Sequence, residues 1–333
     1  MPRIALIKLS SLGDVVHALP VAATLRARVP DAHLTWIVER REAAVLRDHP
    51  ALDALVAVDT RRWRRARGLR DLVEVVGAVR QTTRRLRAAA FDVALDLQGL
   101  LKSGVLAAAT RAPLRIGFVA RRCREPLNAL FTNRRVEPPA ACHVVDQHLA
   151  LLGPLAVTEP VREFRLPRDP AAESNADSFL TASGFKPGQR LVVLNPGAGR
   201  PDKRWPAERF RALAERLGED TGAVVLVVWG PGEEAPARHI APGGAHRALC
   251  APPTNLDELV AFLRRATVLV AADTGPLHLA AAVGTPCVGL YGPTSAVRNG
   301  PYGAGHRCLQ GLAGQVSTIE VDAVLHAVRE LVA

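Results

Sequence analysis

Short apolar runs rich in β-branched residues alternate with helical patterns along most of this 333-residue chain. In the N-terminal half four such runs have the composition of buried strands, at Arg3–Lys8, Leu34–Val38, Leu55–Val58 and Val93–Leu97. The alternation restarts further on, with runs at Leu191–Leu194, Val224–Trp229, Val268–Ala271 and Cys287–Leu290. Strands that are apolar on both faces and separated by amphipathic segments are typical of parallel sheets covered by helices. The pattern therefore predicts an α/β fold.

A proline-rich passage from Gly153 to Pro170 separates the two halves. We therefore predict two α/β domains, residues 1–165 and 166–313. Within residues 314–333, a Ser317-x-x-Glu320 capping box precedes apolar residues at helical spacing, which predicts a terminal amphipathic helix. Such a helix needs an apolar surface, and one option is packing back on the N-terminal domain. Because ligands of open parallel sheets bind beyond the carboxyl ends of the strands, we expect the domains to face a cleft.

The formal net charge is +11, and the basic excess is concentrated in two stretches. Arg61–Ala90 carries ten arginines against Asp71 and Glu74, and Arg111–Arg135 carries seven against Glu125. Such stretches favour a polyanionic partner, which is a nucleic acid, an anionic membrane face or a phosphorylated substrate. Ordinary solvated helix surface stays open as the alternative for part of them. Aromatic residues make up only 4% of the chain and offer little base stacking, so no nucleic-acid partner is expected.

The cysteines and the apolar segments indicate where the protein works. Five cysteines are scattered without any C-x-x-C spacing, so neither a disulfide framework nor a zinc site is expected. The N-terminal apolar run, Ile4–Ile7, is too short for a signal peptide. The longer apolar stretch Ala266–Pro293 is interrupted by Asp273 and His278. We therefore expect a cytoplasmic protein without a membrane span.

The first predicted strand runs into Lys8–Asp14 (KLSSLGD), and a helical pattern follows. This places Ser10, Ser11, Gly13 and the carboxyl group of Asp14 at a helix N-terminus beyond the end of a strand. Because Gly13 is the only glycine, the segment lacks G-x-G-x-x-G, which argues against dinucleotide binding. From position alone, Asp14 is equally well explained as a helix N-cap and as a catalytic carboxylate.

A second strand-to-helix segment, Asn195–Pro206, has the features of an anion site. Gly197 and Gly199 free backbone N–H groups for a close ligand, while Lys203 and Arg204 add positive charge beside a helix N-terminus. This combination suits a phosphate group. The alternative, an ordinary turn with a surface lysine, is less favoured because the segment is long.

A third segment, Ala271–His278, repeats the arrangement of strand, acid, hydroxyl, glycine and helix. Thr274 and Gly275 can point N–H groups and a hydroxyl at a second phosphate oxygen, which leaves Asp273 to accept from sugar hydroxyls. In the alternative interpretation Asp273 caps the helix and His278 is a core histidine.

Two adjacent acids also end a predicted strand, in Trp229–Glu234 (WGPGEE). The carboxylates of Glu233 and Glu234 can accept from ribose hydroxyls, or either can be a first-turn helix acid. Both alternatives stay open from the sequence.

No two aspartates stand at i, i+2, so the chain lacks a D-x-D motif that would hold Mg²⁺ against a diphosphate. Charge on a departing diphosphate would have to be met by Lys203 and by backbone N–H groups. We therefore expect no metal requirement.

Taken together, these segments resemble the bacterial lipopolysaccharide heptosyltransferases, inverting glycosyltransferases that use ADP-heptose and have two Rossmann-like domains facing a cleft, the glycosyltransferase B fold. The resemblance spans nearly the whole chain. It is carried by Lys8–Pro20, Arg61–Arg65, Asp96–Ser103, Arg124–Leu130, Asp202–Pro206, Trp229–Glu234, Asp273–His278 and Tyr291–Thr294. The sequences RRWRR, QGLLKS and REPL are most similar to the type I members, which add the first heptose to Kdo2-lipid A.

The resemblance implies a role for each matching residue. Asp14 becomes the general base and Lys203 the diphosphate contact, and residues 166–313 become the donor domain. The implied donor site comprises Gly197, Ala198, Gly199, Lys203, Glu234, Asp273, Thr274, Gly275 and His278, with Glu233 as the alternative to Glu234. The implied acceptor site, in residues 1–165, comprises Ser10, Ser11, Gly13, Arg61, Arg62, Arg64, Gln98, Lys102 and Arg124. One departure is that Ala198-Gly199 stands where type I members have hydroxyl residues, so backbone N–H groups must replace those phosphate contacts.

The implied reaction is an inverting, metal-independent and cofactor-free transfer of heptose from ADP-L-glycero-D-manno-heptose to Kdo of Kdo2-lipid A. The expected location is the cytoplasmic face of the inner membrane, as a peripheral protein. One alternative is a heptosyltransferase with another acceptor, either an inner-core heptose or a protein. A non-enzymatic polyanion-binding protein is less favoured, and a nicotinamide dehydrogenase would need the glycine fingerprint that both domains lack.

Overall fold

The computed structural model describes residues 1–65, 68–242 and 248–332, without the side chains of residues 63–65, 69, 70, 72, 220 and 221. It divides into two compact units, Met1–Pro167 and Arg168–Ala333. The division falls within the proline-rich passage, two residues beyond the boundary that the sequence predicts.

The N-terminal unit alternates strands and helices. Its elements are β1 (Arg3–Ile7), α1 (Leu12–Arg28), β2 (His33–Glu39), β3 (Ala54–Val58), α2 (Thr60–Arg65), α3 (Leu69–Ala88), β4 (Val93–Asp96), α4 (Leu101–Ala109), β5 (Leu114–Phe118), β6 (Arg134–Val136) and α5 (Val144–Ala150). The strands form one sheet in the order β3-β2-β1-β4-β5-β6, and every described pairing in it is parallel. The chain steps outward from β1 to β3 and then returns to β4, so the loops after β1 and β4 diverge at the topological switch point.

The C-terminal unit repeats this plan. Its elements are α6 (Pro170–Ala182), β7 (Leu191–Asn195), α7 (Ala207–Thr221), β8 (Val224–Val227), α8 (Glu234–Ile240), β9 (Ala248–Cys250), α9 (Leu256–Arg265), β10 (Val268–Ala272), α10 (Gly275–Ala282), β11 (Cys287–Tyr291), α11 (Ala296–Asn299), β12 (Arg307–Gln310) and α12 (Val321–Val332). The sheet order is β12-β11-β10-β7-β8-β9, and its described pairings are parallel. The switch point here lies between β7 and β10.

Each sheet is buried by helices because its strands are apolar on both faces. In the N-terminal unit, Ile7, Ile37 and Leu106 belong to one buried cluster. In the C-terminal unit, Phe210 of α7 packs in a cluster with the sheet. Two parallel α/β units confirm the predicted fold class, and all eight predicted strands are present. Four further strands, β5, β6, β9 and β12, were not predicted.

The terminal helix α12 packs within its own unit. It contacts α7 and the strands β10, β11 and β12, and its residues Val324, Leu325 and Val328 are buried in the C-terminal core. Its apolar face is therefore covered within the C-terminal unit. The reason is that β10, β11 and β12 leave an apolar sheet face beside α7 that the last helix fills.

Among the described residues, no helix is both long enough and apolar enough to cross a membrane.

Candidate active site

The loops that follow β1 and β4 are joined by one side chain, that of Gln98. Its Oε1 accepts from the backbone N–H of Leu9 (2.8 Å) and of Ser10 (3.3 Å). Its Nε2 donates to the carbonyl oxygen of Ser10 (2.6 Å). Gln98, assigned to the acceptor from sequence, therefore shapes the loop that carries Ser10 and Ser11.

Asp14 lies in the first turn of α1, where Ser11 and not Asp14 is the N-cap. One carboxylate oxygen, Oδ2, accepts from both the backbone N–H (2.9 Å) and the hydroxyl (2.8 Å) of Ser11. The other, Oδ1, lies 3.9 Å from Lys8 Nζ. Since 44% of its side-chain surface stays exposed, Asp14 combines a capping-box role with an oxygen accessible to a ligand. The N-cap interpretation of Asp14 is corrected accordingly.

Lys8 is buried beside Asp14 and is held by two acceptors. Its Nζ donates to the carbonyl oxygen of Leu97 (2.8 Å) and lies 3.2 Å from Nε2 of His148. An ammonium group only donates, so Nε2 of His148 must accept, and its Nδ1, 3.3 Å from the carbonyl oxygen of His17, carries the proton.

This arrangement keeps Asp14 ionised. Desolvation by the surrounding protein acts to raise the pKa of Asp14, but the Lys8 ammonium and the two hydrogen bonds from Ser11 outweigh it, and the pKa lies below its ordinary value. Sequence analysis had named neither Lys8 nor His148 as a site residue. Lys8 could have been found from the sequence, because a lysine at the end of a buried strand is unusual. His148 could not, because it stands on α5, far along the chain.

A buried aspartate, Asp96, fixes the loop after β4. Its Oδ1 accepts from the backbone N–H groups of Gln98 (2.9 Å) and Gly99 (3.2 Å). Its Oδ2 accepts from Ser103 Oγ (3.0 Å) and Asn128 Nδ2 (2.6 Å). Burial raises the pKa of Asp96 although these hydrogen bonds oppose it. The segments DLQGLLKS and REPLN are thus tied together by a polar network, and this explains their residue types without a ligand.

The remaining residues that the resemblance implies for the acceptor differ in their exposure and in their ion-pair partners. Lys102 Nζ lies 3.2 Å from Oε1 of the buried Glu39, so its charge is paired inside the protein. Arg62 forms an exposed ion pair with Glu74. Arg61 and Arg124 are exposed. Gly13 is buried in the first turn of α1, where it brings no side chain to a ligand.

One further acceptor candidate, Arg64, has its side chain outside the described part of the chain.

In the C-terminal unit the switch point brings three charged or polar groups together. Lys203 Nζ lies 2.6 Å from Asp273 Oδ2, and His278 Nε2 lies 3.1 Å from Asp273 Oδ1. Asp273 and Lys203 retain only 10% and 19% of their side-chain surface. Both carboxylate oxygens of Asp273 therefore have a partner, and Asp273 holds Lys203 in place.

The charge of Asp273 is strongly stabilised. Burial acts to raise its pKa, but hydrogen bonding and attraction from His278 and Lys203 prevail, and the pKa lies far below its ordinary value. His278 is itself buried and contacts Asp273, whereas the N-cap of α10 is Thr274 and not Asp273.

The loops after β7 and β10 are also joined through neutral groups. Asn195 Nδ2 donates to the carbonyl oxygen of Gly197 (3.0 Å) and lies 3.5 Å from Thr274 Oγ1. Thr274 is the N-cap residue of α10, and Gly275 begins that helix. Free N–H groups at such a helix start suit an anion.

Of the two adjacent acids, Glu233 is the one directed at this loop. A Cβ on Gly197 would lie only 2.0 Å from Glu233 Oε2, so the carboxylate rests directly against the glycine and excludes any side chain there. Its Oε2 also accepts from the Gly230 N–H (3.0 Å). Glu234 instead pairs with Arg238 one helical turn further along α8 (2.8 Å). The geometry favours Glu233 over Glu234 as a ligand contact.

The rest of the loop is anchored on both sides of Lys203. Arg204 Nε donates to the carbonyl oxygen of Ala198 (3.0 Å). The buried Trp205 donates from Nε1 to the carbonyl oxygen of Ile319 (2.9 Å). Gly199 is exposed and has open space where a Cβ would stand. The loop thus offers backbone groups beside a fixed ammonium.

Comparisons with known proteins agree with this picture. The model of glycosyltransferase family 9 (heptosyltransferase) matches residues 79–321. Lipopolysaccharide heptosyltransferase 1 of Escherichia coli strain K12 is 30% identical over 336 residues, 99% of this chain and 100% of the relative. The enzyme of that name from Pseudomonas aeruginosa is 32% identical over 306 residues, 90% of this chain and 81% of the relative. The solved structure of E. coli heptosyltransferase WaaC with ADP is 29% identical, with a TM-score of 0.81 and 99% of both chains covered.

Two Rossmann-like units with this similarity define a glycosyltransferase of the B fold. The chain belongs to glycosyltransferase family 9, the heptosyltransferases. It is therefore an enzyme of lipopolysaccharide heptose transfer, and the dehydrogenase and polyanion-binding alternatives are set aside.

Proposed function

We propose that this enzyme transfers heptose from ADP-L-glycero-D-manno-heptose to Kdo of Kdo2-lipid A, with inversion and without a metal, at the cytoplasmic face of the inner membrane. The observation that carries the proposal is Asp14, an ionised and accessible carboxylate at the carboxyl end of β1, in a chain similar to heptosyltransferase 1 over nearly its whole length.

In the proposed reaction, a Kdo hydroxyl oxygen attacks the anomeric carbon of the heptose on the face opposite the diphosphate. A new carbon–oxygen bond forms, the bond to ADP breaks, and the hydroxyl proton passes to Asp14. A carboxylate with a lowered pKa is a weak base for an alcohol, so the proton moves while the sugar–oxygen bond forms. The oxocarbenium-like transition state permits this because the attacking oxygen becomes acidic as it bonds.

The leaving diphosphate needs positive charge in place before the reaction. Lys203 supplies it, since Asp273, itself bound by His278, holds the ammonium and the loop anchors fix the segment around it. Backbone N–H groups of the loop at 197–199 and of the start of α10 complete the proposed phosphate contacts. For the ribose hydroxyls we propose Glu233, whose carboxylate lies against the same loop.

The acceptor carries carboxylates on Kdo and phosphates on lipid A. Exposed arginines in the N-terminal unit, Arg61, Arg62 and Arg124, are proposed to bind them, because a guanidinium pairs in bidentate fashion with either group. Arg62 would exchange Glu74 for the ligand, which costs little at an exposed ion pair. Lys102 is proposed to act through Glu39 on the loop geometry and not as a free cation.

The test is an acceptor panel with purified protein and ADP-heptose, read by mass spectrometry. The panel holds Kdo2-lipid A, lipid A without Kdo, a heptosylated inner-core acceptor and a mixture of candidate proteins, each with and without EDTA. We expect one heptose on Kdo2-lipid A with release of ADP, unchanged by EDTA. Transfer only to the heptosylated acceptor or to protein would replace the acceptor assignment, and strict Mg²⁺ dependence would overturn the metal-free leaving group.

A matched pair of variants separates the catalytic proposal from general damage. Asp14→Asn should abolish most transfer. Asp322→Asn removes the same charge from the first turn of α12, where Asp322 is exposed and paired with Arg216, and should leave transfer unchanged.

A further inference from the structure

Large apolar side chains that remain exposed are concentrated on one part of the N-terminal unit. Among the described residues ten such side chains are exposed. Seven of them lie on α3, on α4 and on the 3-10 turn Pro126–Phe131, namely Val73 (71%), Val76 (40%), Val79 (37%), Leu101 (38%), Val105 (52%), Leu127 (62%) and Leu130 (74%). Scattered apolar residues are normal on a protein surface, but a group of this kind marks an interaction site.

The three elements are contiguous. Helix α3 contacts α4, and α4 contacts the 3-10 turn. The second contact is close, since a Cβ on Gly104 of α4 would lie 2.7 Å from Phe131 and 2.8 Å from Asn128. We call the exposed side of these three elements the α3–α4 surface.

Basic residues share this surface. On α3, the exposed Arg80, Arg84 and Arg87 follow Val73 and Val76 at intervals of three or four residues and so lie on one helical face. The exposed Arg124 precedes the 3-10 turn that carries Leu127 and Leu130.

We propose that the α3–α4 surface lies on the headgroup region of an anionic lipid bilayer. Apolar side chains beside arginines on a helix lying flat are the combination that binds an anionic membrane interface, since the apolar groups enter the acyl boundary and the guanidinium groups pair with lipid phosphates. The charge is decisive for the choice of partner: the stretch Arg61–Ala90 carries ten arginines against two acids, and α3 lies within it.

The position of the surface fits a lipid acceptor. Leu101 begins α4, directly after the loop of Gln98, and the 3-10 turn follows Arg124. Sugars that project from the bilayer would therefore reach the loops proposed to bind them. The lipid nature of the acceptor rests on the proposed function, whereas the surface itself is argued from exposure and charge.

The experiment measures sedimentation of the full chain with vesicles of phosphatidylcholine alone and of phosphatidylcholine mixed with phosphatidylglycerol. The apolar variant is Leu127→Ser with Leu130→Ser, and the charge variant is Arg80→Gln with Arg84→Gln. The matched control is Val297→Ser with Leu312→Ser, two side chains that are 76% exposed in the C-terminal unit. All six residues are exposed, so each variant should keep the melting temperature of the parent.

We expect the wild type to sediment with the anionic vesicles and much less with the neutral ones. The apolar variant should bind them about tenfold more weakly or worse, since each leucine contributes a large part of its burial free energy. The charge variant should bind about 5- to 25-fold more weakly at low salt. The matched control should bind like the wild type.

Several results would overturn the proposal. These are equal binding of the wild type to both vesicle types, or equal loss in the matched control. Another is a wild-type dimer in size-exclusion chromatography that the apolar variant converts to monomer with vesicle binding unchanged, since the surface would then bind a second copy.

Heptose transfer to a deacylated, water-soluble acceptor should be equal in wild type and apolar variant. If the wild type transfers to no acceptor, the proposed function fails while the sedimentation result still decides the surface.

Discussion

The pairing of Lys203 with Asp273 allows the donor role of Lys203 to be separated from its structural role. The variant Lys203→Met keeps an apolar stem of similar length and removes the ammonium. In the protein as it stands, this leaves Asp273 Oδ2, 2.6 Å from Lys203 Nζ, without that partner. His278 still faces the other oxygen.

The loss of stability in Lys203→Met follows from how deeply the ion pair is buried. Breaking a fully buried ion pair costs about 3–5 kcal/mol because one charge is left uncompensated. Here Lys203 retains 19% of its surface and Asp273 keeps His278, so we expect about 1–3 kcal/mol lost from the unfolding free energy of the C-terminal unit. At about 2–4 °C per kcal/mol for a unit of this size, its melting temperature should fall by about 2–12 °C. Loss of a charge-assisted phosphate contact of about 1.5–3 kcal/mol should lower kcat/KM for ADP-heptose by about 10- to 150-fold.

The assay combines thermal unfolding with steady-state kinetics in a double-mutant cycle. Adding Asp273→Asn to Lys203→Met removes both charges, so stability should recover by part of the coupling energy, about 0.5–3 kcal/mol. If Lys203 contacts the diphosphate, kcat/KM for the donor should not recover. Recovery of kcat/KM in step with stability would show that Lys203 serves only to pair with Asp273, and would refute its donor role.

The pH dependence supplies an independent check on the same pair. Because the pKa of Asp273 is depressed, its contribution to stability is fully present above its ordinary pKa of 3.8 and is lost as pH falls through the folded value. The stability difference between wild type and Lys203→Met should therefore be constant near neutral pH and narrow in acid.

Three further outcomes follow from the two sites. Asp14→Asn should lower kcat by about 10²–10⁴ with ADP-heptose binding unchanged in calorimetry, since an asparagine amide oxygen can still accept the capping bonds from Ser11 while the base is lost; near-normal kcat would leave Asp14 a structural residue. Lys8→Met removes the nearest positive charge, so the pKa of Asp14 should rise and the acid limb of the kcat–pH profile should move to higher pH; an unmoved limb would contradict this. Glu233→Gln should weaken ADP binding in calorimetry more than Glu234→Gln, and the reverse order would reassign the ribose contact.

The fold could be predicted where burial dictates composition. Seven of the eight predicted strands lie inside the sheets, and their apolar runs reflect both faces being covered. The eighth, β3, is an edge strand and only partly buried, but it is apolar throughout and was predicted on that composition. Strands β6 and β12 lie at sheet edges and are exposed along much of their length, as in Arg134–Val136, so no apolar run marks them. Strand β9 is also an edge and has only three residues. Strand β5 is interior but contains Arg115 and Gly117, which break its pattern.

The site could be predicted only as far as strand ends reveal it. Asp273 follows directly after an apolar strand, and Asp14 and Lys203 lie in the strand-to-helix segments that follow two others. Their position at a sheet edge was therefore visible in the sequence. Contacts between distant segments could not be predicted from the sequence. His148 reaches Lys8 across 140 positions, and a single histidine on an amphipathic helix carries no sign of such a partner.

The acceptor side shows the same limit. Lys102 was assigned to the acceptor because the segment Asp96–Ser103 resembles the heptosyltransferases. Its partner Glu39 ends another strand, β2. Glu39 and the start of α4 come to one sheet edge only because β2, β1 and β4 are neighbours in the sheet. Strand order is a property of the folded sheet that spacing along the chain does not encode.

The central claim is that Asp14 deprotonates the acceptor in a single displacement at the heptose anomeric carbon. The most direct measurement is the anomeric configuration of the heptose in the product, determined by NMR after the enzyme has acted on Kdo2-lipid A and ADP-heptose of known configuration. We expect one new linkage to Kdo, with the configuration opposite to that in the donor. A product that retains the donor configuration would require two displacements and a covalent or ion-pair intermediate, and would contradict the role given to Asp14.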